Sequence, residues 1–137
     1  MIHIRVTVDK ADLIERLEMF KSEMKVGLTP VWQKAARILH EMEMSVAPVD
    51  TGLLRQSIET EAYSMGVKST SSAIDPRNGF NYARIQHDGG YASGWAGPHT
   101  IVGKFYMTGP LNAVAPGMVV PMLDREIAAI IRRCGLG

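Results

Sequence analysis

The stretch "APVDTGLLRQSI", residues 47 to 58, marks the point at which the chain changes from helical to strand periodicity. Before it, apolar residues recur at helical spacing from Val31 to Val46. Pro48 disfavours the α conformation at Ala47, so a long helix is predicted to end there. After the stretch, residues alternate from Ile58 to Ser64, which predicts the first strand of a hairpin. Residues 47 to 58 therefore join a helix to a sheet.

The tripeptide Asp50-Thr51-Gly52 within this stretch is also the one that carries the catalytic carboxylate of aspartic proteases. Such an enzyme needs two carboxylates that share a proton, so a chain with one copy would have to dimerise. Here a helix precedes the tripeptide and Leu53-Leu54-Arg55 follows it, whereas those enzymes are almost wholly β. The dimeric protease stays an alternative. The simpler interpretation is that Asp50 or Thr51 caps a tight turn that Gly52 makes sterically possible.

The remaining segments predict an α+β fold in a single domain over residues 1–137. A small antiparallel sheet is expected to pack against two long helices of the N-terminal half and a C-terminal helix. Residues 2 to 8, "IHIRVTV", alternate as a half-buried strand does. Asp9 is predicted to cap a helix that ends near Gly27. The second helix is predicted to begin with Thr29 as N-cap and Pro30 at the first helical position, and the last helix is predicted to include Met118 in its apolar stripe and to end at Gly135.

The middle of the chain is harder to assign. Gly66 predicts a turn before a second strand at residues 67 to 71, and residues 79 to 88 fit a third strand or a helix. Residues 88 to 103 hold five glycines and predict a long irregular loop. Tyr91 and Trp95 in that loop either anchor a partner or pack back onto the domain.

Composition limits the classes of function. Hydrophobic residues make up 46% of the chain and charged residues 21%, as in a folded soluble domain. Fifteen Lys and Arg against fourteen Asp and Glu give a net charge of +1, so no overall field attracts nucleic acid or an anionic membrane. The single cysteine, Cys134, cannot form an internal disulfide, and the N-terminus has no signal-peptide core. We expect a cytoplasmic product without a membrane span.

No catalytic or metal-binding motif is complete. "HEMEM" at residues 40 to 44 opens like a zincin helix, but Met44 stands where the second histidine is needed. The other histidines are scattered, and no phosphate-binding glycine loop is present. We therefore expect no metal, no cofactor and no enzymatic activity.

The order of features resembles the tail-completion or head-to-tail joining proteins of long-tailed bacteriophages, which are also labelled minor tail component, neck protein or minor capsid protein. Three segments carry the resemblance. The first is similar to the family's AP-x-DTG-x-L-R-x-S stretch, the second to a segment in which Tyr-Ala precedes a His and a Gly, and the third to an aromatic and Pro-Leu approach to the last helix. The matching residues are Ala47, Pro48, Asp50, Thr51, Gly52, Leu54, Arg55 and Ser57; Tyr82, Ala83, Gln86, His87 and Gly89; and Lys104, Phe105, Tyr106, Pro110 and Leu111.

The resemblance implies an architectural function in the virion, at the head–tail junction, for a protein made in the host bacterial cytoplasm. Copies would form a homo-oligomer, a hexameric ring, between head-closure or connector proteins and the tail tube or tail terminator protein. DNA would pass through the lumen without specific binding, since tight phosphate contacts would hinder its ejection. A small peptide-binding adaptor domain is a further alternative.

The resemblance also implies roles for three sets of residues, none of them catalytic. The first forms a structural turn, in which Arg55 pairs with Asp50 or with a neighbouring subunit. The second orients the start of the glycine-rich loop, and the third contacts a partner. The three sets are Asp50, Thr51, Gly52 and Arg55; Tyr82, Gln86, His87 and Asp88; and Tyr91, Trp95, Phe105 and Tyr106.

Overall fold

The computed structural model describes residues 2–5, 9–49, 52–76, 79–94 and 97–137. They form the predicted α+β fold, with two long helices, a C-terminal helix and small antiparallel sheets. The elements in chain order are α1 (Lys10–Gly27), α2 (Thr29–Val46), α3 (Leu53–Gln56), β1 (Ile58–Tyr63), β2 (Gly66–Ser71), α4 (Tyr82–Asp88), β3 (Gly89–Gly94), β4 (Gly97–Val102), α5 (Thr108–Val114), a π-helical turn (Ala115–Val119) and α6 (Val120–Arg133).

The ends of the first two helices follow local sequence signals. The Asp9 side chain accepts a hydrogen bond from the Asp12 N–H at 3.1 Å and caps α1, as predicted. Thr29 does not cap α2, because it is the first helical residue and its hydroxyl donates to the Lys25 carbonyl of α1 at 3.0 Å. The end of α2 is confirmed, since Ala47 has the extended ψ of 133° that precedes a proline.

The predicted hairpin at residues 58 to 71 is confirmed. β1 and β2 pair antiparallel, and Tyr63 faces Gly66 across the two-residue turn Ser64-Met65. Side chains alternate between buried or half-buried and exposed along both strands. The inner face packs on α2, so α2 and the hairpin form the two layers of the fold's centre.

The segment from residue 79 to residue 103 was only partly predicted. Of the two alternatives for residues 79 to 88, the helix is the one that forms: α4 spans residues 82–88, and the Asn81 side chain caps it by accepting the Arg84 N–H at 2.9 Å. The predicted irregular loop is a second hairpin, β3–β4, in which Gly89 pairs with Val102. The glycine content of residues 88 to 103 predicted a loop because glycine has a low intrinsic preference for strands. Strand formation also depends on the partner strand, which local sequence does not indicate.

The predicted strand at residues 2 to 8 is absent from its described part. Residues 2–5 form neither strand nor helix, and residues 6–8 lie outside the described residues. Ile2 is 89% exposed and Ile4 84% exposed. An alternating segment forms a strand only against a partner, and no described strand pairs with residues 2–5.

Two clusters of buried side chains hold the fold together. One joins the end of α2 to α3, β1, α4 and Tyr106, and the other joins α1 and α2 to α6. Their fully buried members are Ala47, Leu54, Ile58, Ala73, Ala83 and Tyr106 in the first, and Leu28, Ile130 and Cys134 in the second. No described helix is both long enough and apolar enough to span a membrane.

Candidate functional site

A cleft of about 410 Å³ lies beside β2, between that strand and helices α4 and α5. On one side it is lined by Val67, Ser69 and Ser71, the inward-facing residues of β2. Leu39 and Glu43 line it from α2. Several polar side chains converge on this cleft, among them Glu43, Ser69 and His87, which makes it the candidate site.

Glu43 is the buried acid of the cleft. Its side chain is 0% exposed, and the Ser69 hydroxyl donates to its Oε2 at 2.6 Å. No described residue hydrogen-bonds to Oε1. The Thr60 hydroxyl lies 3.1 Å from Ser69 Oγ, and His40 Nδ1 lies 3.2 Å from Thr60 Oγ1. Burial raises the pKa of the Glu43 carboxyl above its ordinary value, although the Ser69 hydrogen bond opposes this shift.

The stability of the chain should depend on the protonation of Glu43. Because burial raises the pKa above 4.5 only in the folded state, the folded chain binds this proton more tightly than the unfolded chain. The free energy of unfolding of the wild type relative to Glu43→Gln should be greatest below about pH 4.5. It should then fall by up to about 1.4 kcal/mol per pH unit until the folded-state pKa is passed. Urea unfolding from pH 4 to pH 8 measures this difference.

Glu59 provides the matched control, because its carboxyl group is exposed on the other face of the same hairpin. Urea unfolding of the Glu59→Gln variant is measured over the same pH range, and its free energy of unfolding is compared with that of the wild type in the same way. If the free energy of unfolding of Glu43→Gln stayed parallel to that of the wild type over the whole pH range, the result would contradict a buried Glu43 carboxyl group with a raised pKa.

Tyr106 closes one end of the cleft. Its side chain is 1% exposed, and its hydroxyl lies within donating distance of Ser71 Oγ at 2.9 Å and of the Ala83 carbonyl at 3.2 Å. Ser57 Oγ lies 3.1 Å from the same Ser71 oxygen. Burial raises the pKa of the Tyr106 phenol, so the hydroxyl stays a donor. Tyr106 was expected to contact a partner, but it lies in the core, because its ring fills the space between β2 and α4.

His87 links α4 to the start of α5. Its Nδ1 lies 2.6 Å from Asp88 Oδ1, and its Nε2 lies 3.2 Å from Thr108 Oγ1. The order of carboxylate, imidazole and hydroxyl is that of hydrolase triads. Here, however, Nε2 also faces the Thr108 N–H at 3.4 Å, and the ring packs edge-on against Phe105 and Tyr106. This geometry suits a histidine that holds the start of a helix in place.

The turn at residues 47 to 57 has the geometry that the sequence predicts for its described part. Gly52 has φ of 82°, the left-handed conformation that favours glycine, and precedes α3. Arg55 Nε donates to the Ala47 carbonyl at 3.1 Å, which ties α3 to the end of α2. Asp50 and Thr51 lie outside the described residues, and the predicted hydrogen bonds of Asp50 lie there with them.

The second predicted set lies at the joint between α4 and the β3–β4 hairpin. The Gln86 carbonyl accepts the Lys104 N–H at 3.0 Å, and the His87 carbonyl accepts the Phe105 N–H at 3.0 Å. Tyr82 is half-buried against the first core cluster. These contacts bring the two ends of the hairpin together on α4.

The residues predicted to bind a partner differ in their exposure to solvent. Tyr91 on β3 is 70% exposed, and Phe105 is 53% exposed with φ of 46°. Trp95 lies outside the described residues. Among the described members of this set, Tyr91 and Phe105 are therefore those that a partner can reach.

Sequence reasoning missed the polar network around Glu43. The only sequence signal is the spacing of His40 and Glu43, which puts both side chains on one face of α2. Nothing local indicates that serines of β2 meet that face. Within the described ranges, no three His, Cys, Asp or Glu side chains come together as a possible metal site.

Comparisons of the chain with protein-family models, with curated proteins and with solved structures found no match.

Proposed function

We propose that this chain is a structural subunit of the head–tail junction of a long-tailed bacteriophage, where copies of it assemble into a ring of six. In this role it acts in the virion as a tail-completion or head-to-tail joining protein. It passes DNA through its lumen, and it does so without catalysing a reaction.

The apolar surface left uncovered on α1 carries the proposal. Phe20 and Met24 pack against the α6 cluster, but α1 has no fully buried residue. Leu13, Ile14 and Leu17 are 41%, 51% and 49% exposed. They lie next to one another on the helix, and we call them the α1 patch. A contiguous apolar patch on a small domain is typical of an assembly interface.

The position of the residues that resemble the phage family also supports the proposal. The three segments are far apart in the chain, but Ala47 and Leu54 from the first, Ala83 from the second and Tyr106 from the third belong to one buried cluster. The Tyr106 hydroxyl and the His87 ring of these segments border the 410 Å³ cleft, but both have hydrogen-bond partners within the domain. The four cluster residues pack together, as expected of a motif that maintains a fold.

The β3–β4 hairpin fits the proposal as a docking arm. Outside its own pairing, it makes its main contacts with α4. Tyr91 on β3 and Val102 on β4 are 70% and 74% exposed. Subunits that join rings of different partners need such projecting segments, because exposed aromatic and branched side chains can bury area on a neighbour.

The oligomeric state tests the proposal directly. Mass photometry and negative-stain electron microscopy of the purified chain should reveal closed rings, and phage particles that lack the chain should accumulate as separate heads and tails. A twofold dimer with Asp50 carboxylates facing each other, together with peptidase activity lost in Asp50→Asn, would overturn the proposal in favour of the aspartic protease.

Replacing Leu17 with glutamate should weaken ring assembly at least tenfold. A charge in the α1 patch would have to be desolvated in the interface, whereas in the free subunit it remains in water. The free energy of unfolding of the subunit should change by less than about 1 kcal/mol, because the site is half exposed. Analytical ultracentrifugation over a concentration series measures the association constant.

Ser22→Glu is the matched control, because Ser22 is exposed and lies on the opposite side of α1. It places the same charge on the same helix, away from the patch. If both variants weakened assembly equally, the effect would come from charge alone and the α1 patch would not be an interface.

A further inference from the structure

One edge of β2 has no strand partner among the described residues. Tyr63 and Gly66 form the hydrogen-bonded pair that closes the two-residue turn, so β2 residues 66, 68 and 70 direct their backbone groups at β1. Val67, Ser69 and Ser71 direct theirs to the other side, where no backbone hydrogen bond from a described residue reaches them. These residues span about 13 Å at the usual rise of a strand. Such an edge is a template for an added strand.

The 410 Å³ cleft lies along this edge. Val67, Ser69 and Ser71 line it, but no residue of β1 does. Leu39 and Leu111 give it apolar walls that it shares with a neighbouring cavity of about 160 Å³. An extended segment placed there could therefore pair with β2 through its backbone while its inward side chains contacted apolar surface.

The N-terminal segment has the sequence of a strand, but none of the described strands pairs with it. Ile2 and Ile4 alternate with His3 and Arg5, and both isoleucines are exposed. Residues 2–5 form no strand with any described residue. The chain thus has an unpaired strand sequence and an unpaired strand edge.

The two features belong to different parts of the fold. The N-terminal segment leads into α1, which packs mainly on α6 and the start of α2, and Arg16 donates to the Gly135 carbonyl at the C-terminal end of the chain. The cleft is lined by the second half of α2 and by β2, α4 and α5, with no residue of α1 or α6. This placement favours a donor segment from a neighbouring copy over the chain's own segment.

We propose that residues 2–5 of one copy add as a strand to the free edge of β2 in the next copy. Ile2 and Ile4 then face Leu39, Val67 and Leu111. The contact is heterologous, because donor and acceptor are different surfaces, and a contact of this kind generates a ring when its rotation closes. The inference rests on the proposed ring assembly and names a second contact between its subunits, beside the α1 patch.

Hydrogen exchange distinguishes the two edges of β2 within one protein. In assembled wild-type chain, the amides of Val67, Ser69 and Ser71 should exchange at least tenfold more slowly than in an Ile2→Asp/Ile4→Asp variant. The amides of Lys68 and Thr70 point at β1 and should be protected equally in both. A His3→Ser/Arg5→Ser variant, altered on the other face of the segment, should behave as the wild type.

Mixing two defective variants tests whether the strand is exchanged between copies. The Ile2→Asp/Ile4→Asp variant keeps the acceptor edge, and Val67→Pro keeps the donor segment but loses an outward N–H and blocks the edge. Each alone should be monomeric where the wild type forms rings, and the mixture should yield a one-to-one heterodimer in native mass spectrometry. Ala62→Pro is the control, because it removes an outward N–H from the other edge of the hairpin and should leave assembly intact.

The outcomes separate this inference from the proposed function. Rings in which the Val67, Ser69 and Ser71 amides exchange as fast as in the double aspartate variant would overturn strand exchange alone. The same would follow if these amides were protected in dilute monomer, since the segment would then pair within its own chain. A wild-type chain that stayed monomeric at every concentration would overturn both.

Discussion

Replacing Gly89 with alanine is expected to lower the free energy of unfolding by about 3 kcal/mol or more, because two costs combine at this position. Gly89 has φ of 78° and ψ of −178°, a conformation that is open essentially to glycine alone. A Cβ atom there would lie 2.6 Å from the Gly103 nitrogen and 2.8 Å from the Ile101 carbonyl oxygen. Both neighbours are backbone atoms, so neither a rotamer change nor a small shift relieves the contact. Urea unfolding followed by circular dichroism measures the loss.

The backbone of Gly89 lies so close to that of Ile101 and Gly103 because the β3–β4 hairpin joins α4 at this point. Lys104 and Phe105 donate to carbonyls of the last turn of α4 immediately after the hairpin returns. The amides of these two residues are thus a local probe, and they should lose protection from hydrogen exchange in Gly89→Ala even if the rest of the fold remains.

Gly109→Ala is the control for this prediction. Gly109 lies in the first turn of α5, and a Cβ there would meet no atom within 4 Å apart from its two chain neighbours and the backbone of its own helix. Alanine should change the free energy of unfolding by less than about 1 kcal/mol, because its helix preference is opposed by the restriction that Pro110 places on the residue before it. A Gly89→Ala protein that unfolded at the same urea concentration as Gly109→Ala would show that the hairpin is not held against α4 as the structure has it.

Sequence predicted the parts of the fold that depend on neighbouring residues. Asp9 and Pro48 each act within a few positions of themselves, so they fixed the start of α1 and the end of α2 correctly. The β1–β2 hairpin was also predictable, because its strands alternate and lie next to each other in the chain. The β3–β4 hairpin was not, since its glycine-rich strands have weak intrinsic preference and are held by pairing and by α4.

The candidate site shows why long-range polar contacts escape sequence reasoning. Glu43 lies on a helical face together with Ala36 and Leu39, and a glutamate at such a position is usually solvated. Its burial depends on Ser69 of β2, which is 26 residues away in the chain. Periodicity assigns the face of a helix, but it contains no information about which element covers that face.

The surroundings of Tyr106 differ from those that were expected. The family resemblance implied that Tyr106 contacts a partner. In the fold, Tyr106 is buried with its hydroxyl 3.2 Å from the Ala83 carbonyl of α4, and the exposed aromatic residue is the adjacent Phe105. Phe105 has φ of 46°, and this local backbone conformation decides which of the two neighbouring aromatic rings is buried. No sequence pattern specifies that conformation.

Replacing Tyr106 with alanine is expected to cost about 3–5 kcal/mol of unfolding free energy, the range measured for large aromatic residues removed from cores. The ring is 1% exposed and joins the three segments on which the first core cluster is built. Tyr106→Phe keeps the ring and should cost about 1 kcal/mol, the net value of a hydrogen bond to Ser71 or to the Ala83 carbonyl. Thermal and urea unfolding of both variants measure these losses.

Tyr91→Ala is the matched control, because it removes the same side chain from a site that is 70% exposed. Its free energy of unfolding should stay within about 0.5 kcal/mol of the wild type, whereas its ring assembly should weaken if the hairpin docks on a neighbour. The two tyrosines thus separate folding from assembly. If Tyr106→Ala kept full stability and lost only assembly, the Tyr106 side chain would have to lie on the surface, and the core described around it would be wrong.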